Sequence, residues 1–333
     1  MEKNLFLKNC LLIDGKSEKP LEKAGILIKG QKIAEVGRTS SIDVTRRDRP
    51  TEINLAGKTV IPGMVDAHFH AMYSCFTTML DMELKDSLEL ATLKAAQNLQ
   101  TKLESGFTTV RDVGCRGNMA VALRDAVDSG LVFGPRIVAS SQIISSTGGL
   151  TDWLPSWTTW KDSREGLGVS VDGVDEITRV VRGQIRDGVD NVKLGASGTG
   201  FNPFCPPRRP TLTYNEMVAA IDLAHKSQKT VAVHAEATEA VKNGVKAGAN
   251  TIEHGMFLDN ECIRLLKQSG TVLIPTLANY TLYAEKGAQA GVMPSVIEEH
   301  KKNQREHRLS VKLAHEAKVK IALGTDSGGT FFP

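Results

Sequence analysis

Residues 58–70 read KTVIPGMVDAHFH, and at this stretch the pattern of the chain changes. An apolar, β-rich run from Thr59 to Ala67 leads into the alternating pair His68 and His70. After it, apolar β-rich runs alternate with longer stretches of helical period, which indicates parallel βα units. Before it, short strands separated by turns predict a small β-rich domain. We therefore expect two domains, residues 1–58 and residues 59–333.

The larger domain contains eight apolar β-rich runs. They are Thr59–Ala67, Thr108–Val113, Arg136–Ser140, Asn191–Leu194, Thr230–His234, Thr251–His254, Val272–Pro275 and Lys318–Thr325. The stretches between them, such as Ser87–Glu104 and Ser295–Glu316, have apolar residues at three- and four-residue spacing, as amphipathic helices do. Eight parallel strands with crossover helices favour closure into an α/β fold of the (β/α)8 TIM-barrel type over an open sheet.

The chain ends at Phe331-Phe332-Pro333, only a few residues after the eighth run. The helix that should cover that strand is therefore missing from the predicted pattern. We expect the chain to be truncated at its C-terminus, and the small N-terminal domain, predicted to be β-sandwich-like, to be incomplete without C-terminal strands.

Polar residues at the ends of the predicted strands form the candidate site. His68 and His70 follow the first strand, His234 ends the fifth and His254 ends the sixth, while Asp326 follows the eighth. Because the carboxyl ends of barrel strands converge on one face, these residues should meet. Residues two apart on a strand point the same way, so the first two histidines can reach one metal ion. Imidazole and carboxylate ligands suit zinc, although cobalt, manganese or iron would also fit.

A charged residue also stands inside the fourth apolar run, where Lys193 lies between Val192 and Leu194. A lysine in that position is out of place unless it has a function or a partner. The other four histidines lie on predicted helices among charged residues, and we interpret them as solvated surface groups: His225, His300, His307 and His315. The five cysteines are scattered and never spaced as C-x-x-C, which predicts reduced thiols and no thiolate metal site.

The composition limits the classes of molecule that the protein is expected to bind. With 41 Lys+Arg against 38 Asp+Glu, the formal charge of +3 gives no case for nucleic acid. No stretch approaches the roughly 18 uncharged apolar residues that a membrane span needs, and the N-terminus lacks a signal-peptide pattern. We expect a cytoplasmic protein whose partner is a small-molecule substrate. Homo-oligomers are common among such barrels, but no interface can be read from the sequence.

Several motifs together resemble the amidohydrolase superfamily, in particular the branch with imidazolonepropionase-related proteins and Xaa-Pro dipeptidase-type enzymes. The motifs are NCLLIDG (Asn9–Gly15), GILIKGQKIAEVG (Gly25–Gly37), KTVIPGMVDAHFH (Lys58–His70), NVKLGASG (Asn191–Gly198), VAVHA (Val231–Ala235), IEHG (Ile252–Gly255) and GTDSG (Gly324–Gly328). The resemblance covers essentially the whole chain. It implies a zinc-dependent hydrolase of carbon–nitrogen bonds.

The resemblance also implies a role for each residue. The pair His68 and His70 would bind one metal ion, and His234 and His254 would bind a second. Lys193, carbamylated by carbon dioxide, would bridge the two ions. Asp326 would contact the first ion and shuttle a proton, while a hydroxide shared by the metals attacks the amide.

Mononuclear relatives, such as deaminases and imidazolonepropionase, generally lack the strand-four lysine. Lys193 therefore favours a binuclear site that cleaves a dipeptide or an N-acyl amino acid. A mononuclear enzyme that opens a cyclic amide or deaminates a heterocycle stays open as an alternative, as does an inactive metal-binding scaffold. Glu236 departs from the relatives, many of which carry an aromatic residue or histidine there, and this departure leaves the substrate open.

Candidate substrate groups lie in the predicted loops. The long connection after the third strand holds Trp153, Trp157 and Trp160, which could wall an apolar pocket. Arg208 and Arg209 could bind a substrate carboxylate through two-pronged contacts, or could be plain solvated groups. Further candidates for orienting a substrate are Tyr280, Tyr283 and Glu236.

Overall fold

The computed structural model describes residues 4–45, 49–73, 78–154 and 165–327. The chain forms two compact units, Met1–Met64 and Val65–Pro333. Among the described residues, no helix is both long and apolar enough to span a bilayer.

The first unit is built on a mixed β-sheet. Its strands are β1 (Leu5–Leu12), β2 (Leu21–Lys29), β3 (Lys32–Arg38), β4 (Thr51–Asn54) and β5 (Thr59–Val60), with a short 3-10 helix at Thr39–Ser41. β2 runs antiparallel to β1 and β3, whereas β4 and β5 run parallel to β1. The described residues of this unit form one sheet, so a sandwich-like architecture stays an expectation.

The predicted run Thr59–Ala67 forms two separate strands rather than one. β5 pairs with β1 in the first unit, and a new strand begins at Met64. Pro62 lies between them, and proline cannot donate a backbone hydrogen bond to a neighbouring strand. The sequence pattern was thus right about β structure and wrong about its continuity.

The second unit alternates strands and helices. Its strands are β6 (Met64–Phe69), β7 (Phe107–Asp112), β8 (Arg136–Val138), β9 (Ile143–Ser145), β10 (Gly168–Ser170), β11 (Asn191–Gly195), β12 (Thr230–Ala235), β13 (Thr251–His254) and β14 (Val272–Ile274). Its helices are α1 (Met79–Leu84), α2 (Leu88–Glu104), α3 (Met119–Asp128), α4 (Val174–Arg186), α5 (Tyr214–Lys226), α6 (Thr238–Lys246), α7 (Asn260–Ser269), α8 (Leu277–Lys286) and α9 (Pro294–Glu316), with a 3-10 helix at Gly287–Ala290.

Parallel pairing organises these strands. Six of them form a sheet in the order β10-β9-β11-β12-β13-β14, and three form a sheet in the order β6-β7-β8. A backbone hydrogen bond from Asn191 N to Ala139 O, 3.1 Å long, connects the two sheets. The main core lies between strands and helices, where Leu194, Val233 and Ile252 pack in one cluster with helix residues such as Val181 and Val241. The fold is therefore α/β with parallel strands.

The segment 320–326 lies between β14 and β6. Leu273 N donates to Lys320 O (2.9 Å), Ala322 N donates to Leu273 O (3.0 Å), and Ala67 N donates to Leu323 O (2.9 Å). The predicted eighth strand therefore stands at the expected place, although it makes isolated bridges rather than a regular strand. These bonds bring the end of the described chain to the end of β6.

Gly324 permits this close approach. A Cβ atom at position 324 would lie 2.3 Å from Ile274 Cγ2 and 2.7 Å from His68 Cβ. Only a residue without a side chain fits there, which gives the first glycine of the GTDSG motif a steric reason.

A buried ion pair reinforces the same junction. Lys102 Nζ on α2 lies 2.6 Å from Asp66 Oδ2 on β6, and both side chains are almost fully buried. Lys102 also donates to Ser327 Oγ (2.8 Å), and Asp66 accepts a bond from Thr325 N (3.0 Å). The pair therefore ties α2, β6 and the 320–327 segment together.

We predict that Lys102→Met lowers the free energy of unfolding by about 3–5 kcal/mol, because it leaves the buried Asp66 carboxylate without its cation. Urea denaturation of the two proteins would measure the difference. Lys226→Met is the matched control, since Lys226 pairs with Asp222 at the surface and should matter by about 0.5 kcal/mol or less. Equal losses in the two variants would contradict the prediction.

The prediction of solvated helix histidines is half right. His225 and His315 are exposed, as expected. His300 and His307 are 1 % and 0 % exposed, so the prediction for them was wrong. They lie with Asn303 on the buried stripe of α9, where three- and four-residue spacing faces the protein interior although the neighbours in sequence are charged.

We predict that these two histidines make the fold acid-sensitive. Burial lowers the pKa of both His300 and His307 from 6.5 to about 4. Between those values the unfolded chain binds more protons than the folded one, so stability is complete above about pH 6.5 and falls as the pH drops towards 4. Denaturation across this window should show a smaller loss for His300→Gln than for the parent, with exposed His315→Gln unchanged. An identical pH dependence in all three would contradict this account.

Candidate metal centre

The polar residues predicted at strand ends lie close together in the second unit. β6 carries His68, with His70 directly beyond its end; β11 carries Lys193, β12 carries His234 and β13 carries His254. None of these residues is more than 5 % exposed. A cluster of buried imidazoles around a lysine needs either metal ions or charge partners to be stable.

Strand register explains why the histidines meet. β11, β12 and β13 pair in parallel, with Gly195 opposite His234 and Ala235 opposite His254. The His254 ring centroid lies 4.5 Å from that of His234 and 4.8 Å from that of His68. The side chains at the carboxyl ends of these strands therefore lie close together at one edge of the sheet.

Three of the side chains form a tight set of potential ligands. Nε2 of His68 and Nε2 of His70 each lie 3.4 Å from Asp326 Oδ1. The three ligand atoms all lie within 4.8 Å of one another. At this spacing, one cation could contact all three ligand atoms.

The hydrogen bonds of His68 and His70 leave the Nε2 atom of each ring available for a cation. His70 Nδ1 lies 2.7 Å from Gly114 O, which can only accept, so this nitrogen carries the hydrogen. His68 Nδ1 lies 2.6 Å from the Glu253 carboxylate. Both Nε2 atoms point towards Asp326 and would offer a lone pair to a cation bound there, in the carboxylate–histidine arrangement typical of metal sites.

The other two histidines are neutral and can act as ligands. Burial, helped by the Lys193 charge, lowers the pKa of His234 to about 3, and burial holds the pKa of His254 well below its usual range. His234 Nε2 donates to Gly198 O at 3.0 Å, which leaves a lone pair on its Nδ1 atom. His254 Nδ1 contacts Thr276 Oγ1 at 2.6 Å.

Three residues at this site have a strained backbone. His254, Thr276 and Asp326 have φ values of 70°, 48° and 53°, in the left-handed region that side-chain-bearing residues rarely adopt. Strain of this kind persists only where surrounding contacts hold it, and it gathers at functional sites.

The pKa values of Lys193 and Asp326 are both lowered, which favours a neutral amine at Lys193 and an ionised carboxylate at Asp326. Burial lowers the pKa of Lys193 to about 8, against the pull of Glu253 and Asp326. Burial alone would raise the pKa of Asp326, but His68 and His70 outweigh it and hold that pKa well below its usual range. At neutral pH Asp326 is therefore a carboxylate, and a fraction of Lys193 is an uncharged, nucleophilic amine.

Glu253 and Arg111 were not predicted from the sequence. Glu253 Oε2 accepts from His68, while Glu253 Oε1 lies 2.8 Å from an Arg111 guanidinium nitrogen. Burial opposes ionisation of Glu253, but Arg111 and His68 hold its pKa below the usual range. The sequence does contain a pattern that could have identified them, since Glu253 and Arg111 are charged residues inside apolar runs, as Lys193 is.

The candidate ligands open onto a cavity of about 580 Å³, a volume that includes open solvent. Its lining is His68, His70, Tyr73, Ile143, Leu150, Thr151, Trp153, Leu167, Lys193, Thr199, Phe201, His234, His254, Asn279, Tyr280, Tyr283 and Asp326. Aromatic and aliphatic groups thus make up much of its described wall, a composition typical of sites for small molecules.

Some of the predicted substrate residues line the cavity, and others do not. Trp153 and Tyr280 line the cavity, whereas Trp157 and Trp160 lie outside the described residues. Arg208 and Arg209 are not among its lining groups. Arg208 pairs with Glu306 at 2.5 Å and lies over the Phe257 ring, because the loop turns both arginines towards the exposed surface.

Glu236 lies just behind the cavity wall. It is fully buried, and one carboxyl oxygen accepts a hydrogen bond from the Tyr280 hydroxyl. Burial raises the pKa of Glu236 to about 8, against the effect of Tyr280 and Thr199. The residue therefore orients Tyr280, rather than standing in the described lining itself.

Comparison with known proteins agrees with this geometry. Residues 59–332 match the model of the amidohydrolase family. The chain belongs to this family. It is therefore an enzyme of the amidohydrolase superfamily that acts on amide bonds.

Among curated proteins, this amidohydrolase resembles ochratoxinase from Aspergillus niger, with 26% identity over 335 residues that cover 95% of this chain and 68% of that protein. Among solved structures, a prolidase complexed with N-methylphosphonate-L-proline has 30% identity and a TM-score of 0.89, covering 98% of this chain and 79% of that one. A Xaa-Pro dipeptidase with methionine bound in its active site has 30% identity and a TM-score of 0.86, covering 98% and 80%.

We predict that Glu253→Gln lowers Zn²⁺ affinity about 10- to 100-fold, because it removes the charge that orients His68 and increases its basicity. Competitive titration with a chromophoric chelator would measure the change. Glu216→Gln is the control, since Glu216 is also a buried carboxylate but bonds to backbone N–H groups of Thr213 and Gly173. Equal affinity in Glu253→Gln and the parent protein would contradict the prediction.

Proposed function

We propose that this amidohydrolase is a zinc-dependent enzyme that cleaves the amide bond of a dipeptide or of an N-acyl amino acid. The observation that carries the proposal is the convergence of four buried imidazoles, a buried lysine and a buried aspartate at one edge of the parallel strands. Metal-assisted hydrolases use residues of these types, grouped in one cavity, to bind metal ions and transfer protons.

We further propose that β6, β7, β8, β11, β12, β13, β14 and the 320–325 segment form a closed (β/α)8 barrel. The bonds of Leu273 to Lys320 and of Ala67 to Leu323 support closure between β14 and β6. The bond from Asn191 N to Ala139 O supports closure between β8 and β11. In such a barrel, active-site residues stand at the carboxyl ends of strands, where the six candidate residues lie.

The described donor set fits metal ions. His68, His70 and Asp326 would hold the first ion, because both Nε2 atoms lie 3.4 Å from the Asp326 carboxylate, close enough for one ion to contact all three side chains. His234 and His254 would hold the second, because both are neutral at physiological pH. Bound metal ions would polarise the substrate carbonyl and lower the pKa of water.

Lys193 would join the two halves of the site as a carbamate. A protonated lysine has only donors, so it cannot ligate a cation. Its lowered pKa of about 8 leaves part of the amine neutral and able to react with carbon dioxide. This reaction forms an N–C bond and releases one proton, and the resulting carbamate anion would be matched in this buried place by metal charge.

Asp326 is the group that would move the proton. Its pKa lies well below the usual range, so at neutral pH it is a carboxylate, which can take a proton transiently from the attacking water. It could then deliver that proton to the leaving nitrogen, provided the substrate places this nitrogen within hydrogen-bond reach. The Asn279 side chain holds Asp326 Oδ2 at 2.8 Å and so fixes the orientation of the carboxylate.

A mononuclear cyclic-amide hydrolase is the second candidate. The observation that favours it is that His68, His70 and Asp326 are the group of ligands found close enough to share one ion among the described residues. A single-ion enzyme would use Lys193 as a cation or neutral amine instead of a bridge. Metal stoichiometry separates the two candidates.

We predict two metal ions per chain in protein grown with added zinc and bicarbonate, and one or fewer in Lys193→Ala, because the bridge is lost. Elemental analysis would measure the content, and hydrolysis of a panel of dipeptides and N-acyl amino acids would measure activity. Lys226→Ala, on the exposed face of α5, should keep both ions and full activity. One ion in both Lys193→Ala and the parent would overturn the bridging role and favour the mononuclear candidate.

A further inference from the structure

A series of neighbouring rings connects the candidate ligand His254 with Phe201, which follows β11 along the chain. The Tyr280 ring centroid lies 5.8 Å from that of His254 and 5.1 Å from that of His300 on α9. The Phe201 centroid lies 4.7 Å from that of His300 and 4.7 Å from that of Tyr283 on α8. These separations are typical of rings in contact. Phe201, Tyr280 and Tyr283 all line the cavity, and we call them the aromatic wall.

Phe201 is the least buried member of the aromatic wall. It is partly exposed, whereas Tyr280 and Tyr283 are 2 % and 5 % exposed. Phe201 packs against a hydrophobic cluster that includes Tyr283 and Val296, and it meets the Tyr283 ring edge-on at 78°. One part of the ring is therefore held by the protein, and the rest is left to water and to the cavity. Covering such apolar surface is favourable, so a bound apolar group would be stabilised there.

The rest of the described cavity lining also suits an apolar group. Ile143, Leu150 and Leu167 contribute aliphatic side chains to it. The lysine and the carboxylate of this lining are Lys193 and Asp326, both of which the proposed function already uses. A charged side chain of the substrate therefore finds no further lysine, arginine or carboxylate partner among the described lining groups, whereas an apolar one finds rings and aliphatic groups.

We propose that Phe201 determines specificity by contacting a large apolar side chain of the substrate, so that the enzyme prefers dipeptides and N-acyl amino acids that carry phenylalanine beside the scissile amide. This inference rests on the proposed function. Phe201 and the candidate ligands line one cavity, so a substrate held at the ligands can also reach this ring. Burying a side chain of this size against the ring stabilises its complex relative to that of a small side chain.

The test compares substrates that differ in one side chain: N-acetylphenylalanine against N-acetylalanine, and the dipeptides Phe-Ala and Ala-Phe against Ala-Ala. We expect kcat/KM of the zinc-loaded enzyme to favour phenylalanine by about 10- to 100-fold in at least one comparison. Phe201→Ala should bring that ratio close to one, because the contact surface is lost. Phe201→Leu should keep most of the preference, because it retains a large apolar side chain.

Phe204 provides the matched control. It lies three residues further along the same loop, is 77 % exposed and is outside the described cavity lining. Phe204→Ala should therefore change neither the rates nor the ratio. Zinc content should be the same in all these proteins, because neither phenylalanine offers a ligand atom. If Phe201→Ala misfolds, Phe201→Gln tests the same point with a larger but polar side chain, and it should also lose the preference.

A lysine substrate tests the other interaction that aromatic rings offer, since rings also attract cations. The dipeptides Lys-Ala and Ala-Lys and Nα-acetyllysine are the probes. We expect each to be cleaved more slowly than the corresponding phenylalanine substrate. Lysine substrates that are cleaved as fast as phenylalanine substrates would show that the wall does not select apolar groups, and would overturn the inference.

The outcomes distinguish this inference from the proposed function. A parent enzyme that shows no preference for phenylalanine in any comparison, or a preference that survives unchanged in Phe201→Ala, overturns the inference and leaves the proposed function standing. A zinc-loaded enzyme that cleaves no amide of any series overturns the proposed function, and the inference with it.

Discussion

The site depends on the placement of the 320–327 segment against β6. Backbone bonds to β6, reinforced by the buried pair of Lys102 and Asp66, carry Asp326 to within 3.4 Å of two imidazole nitrogen atoms. Because position 326 is more than 250 residues from His68 and His70 along the chain, only tertiary structure can bring these groups together. The absence of a side chain at Gly324 makes the close approach sterically feasible.

Electrostatics at this edge are balanced by a chain of buried charges. Arg111 compensates Glu253, and Glu253 in turn orients His68, so that a guanidinium on β7 influences a candidate ligand on β6 through a carboxylate on β13. Buried charges without such partners would be costly. The same burial that holds the remaining imidazoles neutral lowers the pKa of Lys193, so these groups bind protons weakly.

Much of this arrangement could be predicted from the sequence, because strand-end position and residue type determine which side chains meet on a parallel sheet. Residues whose role depends on side-chain orientation could not be found in this way. The buried stripe of α9 hid His300 and His307, since charged neighbours masked the helical spacing. The loop that carries Arg208 turns away from the cavity, and the significance of Asn279 lies in which way its amide faces. No sequence pattern reports such an orientation.

Anomalous X-ray scattering at the zinc edge, from crystals of the zinc-loaded and catalytically active protein, tests the central claim most directly. The account predicts one strong anomalous peak in contact with His68, His70 and Asp326, and a second in contact with His234 and His254. Zinc peaks only at surface sites, with no density beside these residues in active protein, would contradict a metal-dependent mechanism built on the strand-end histidines.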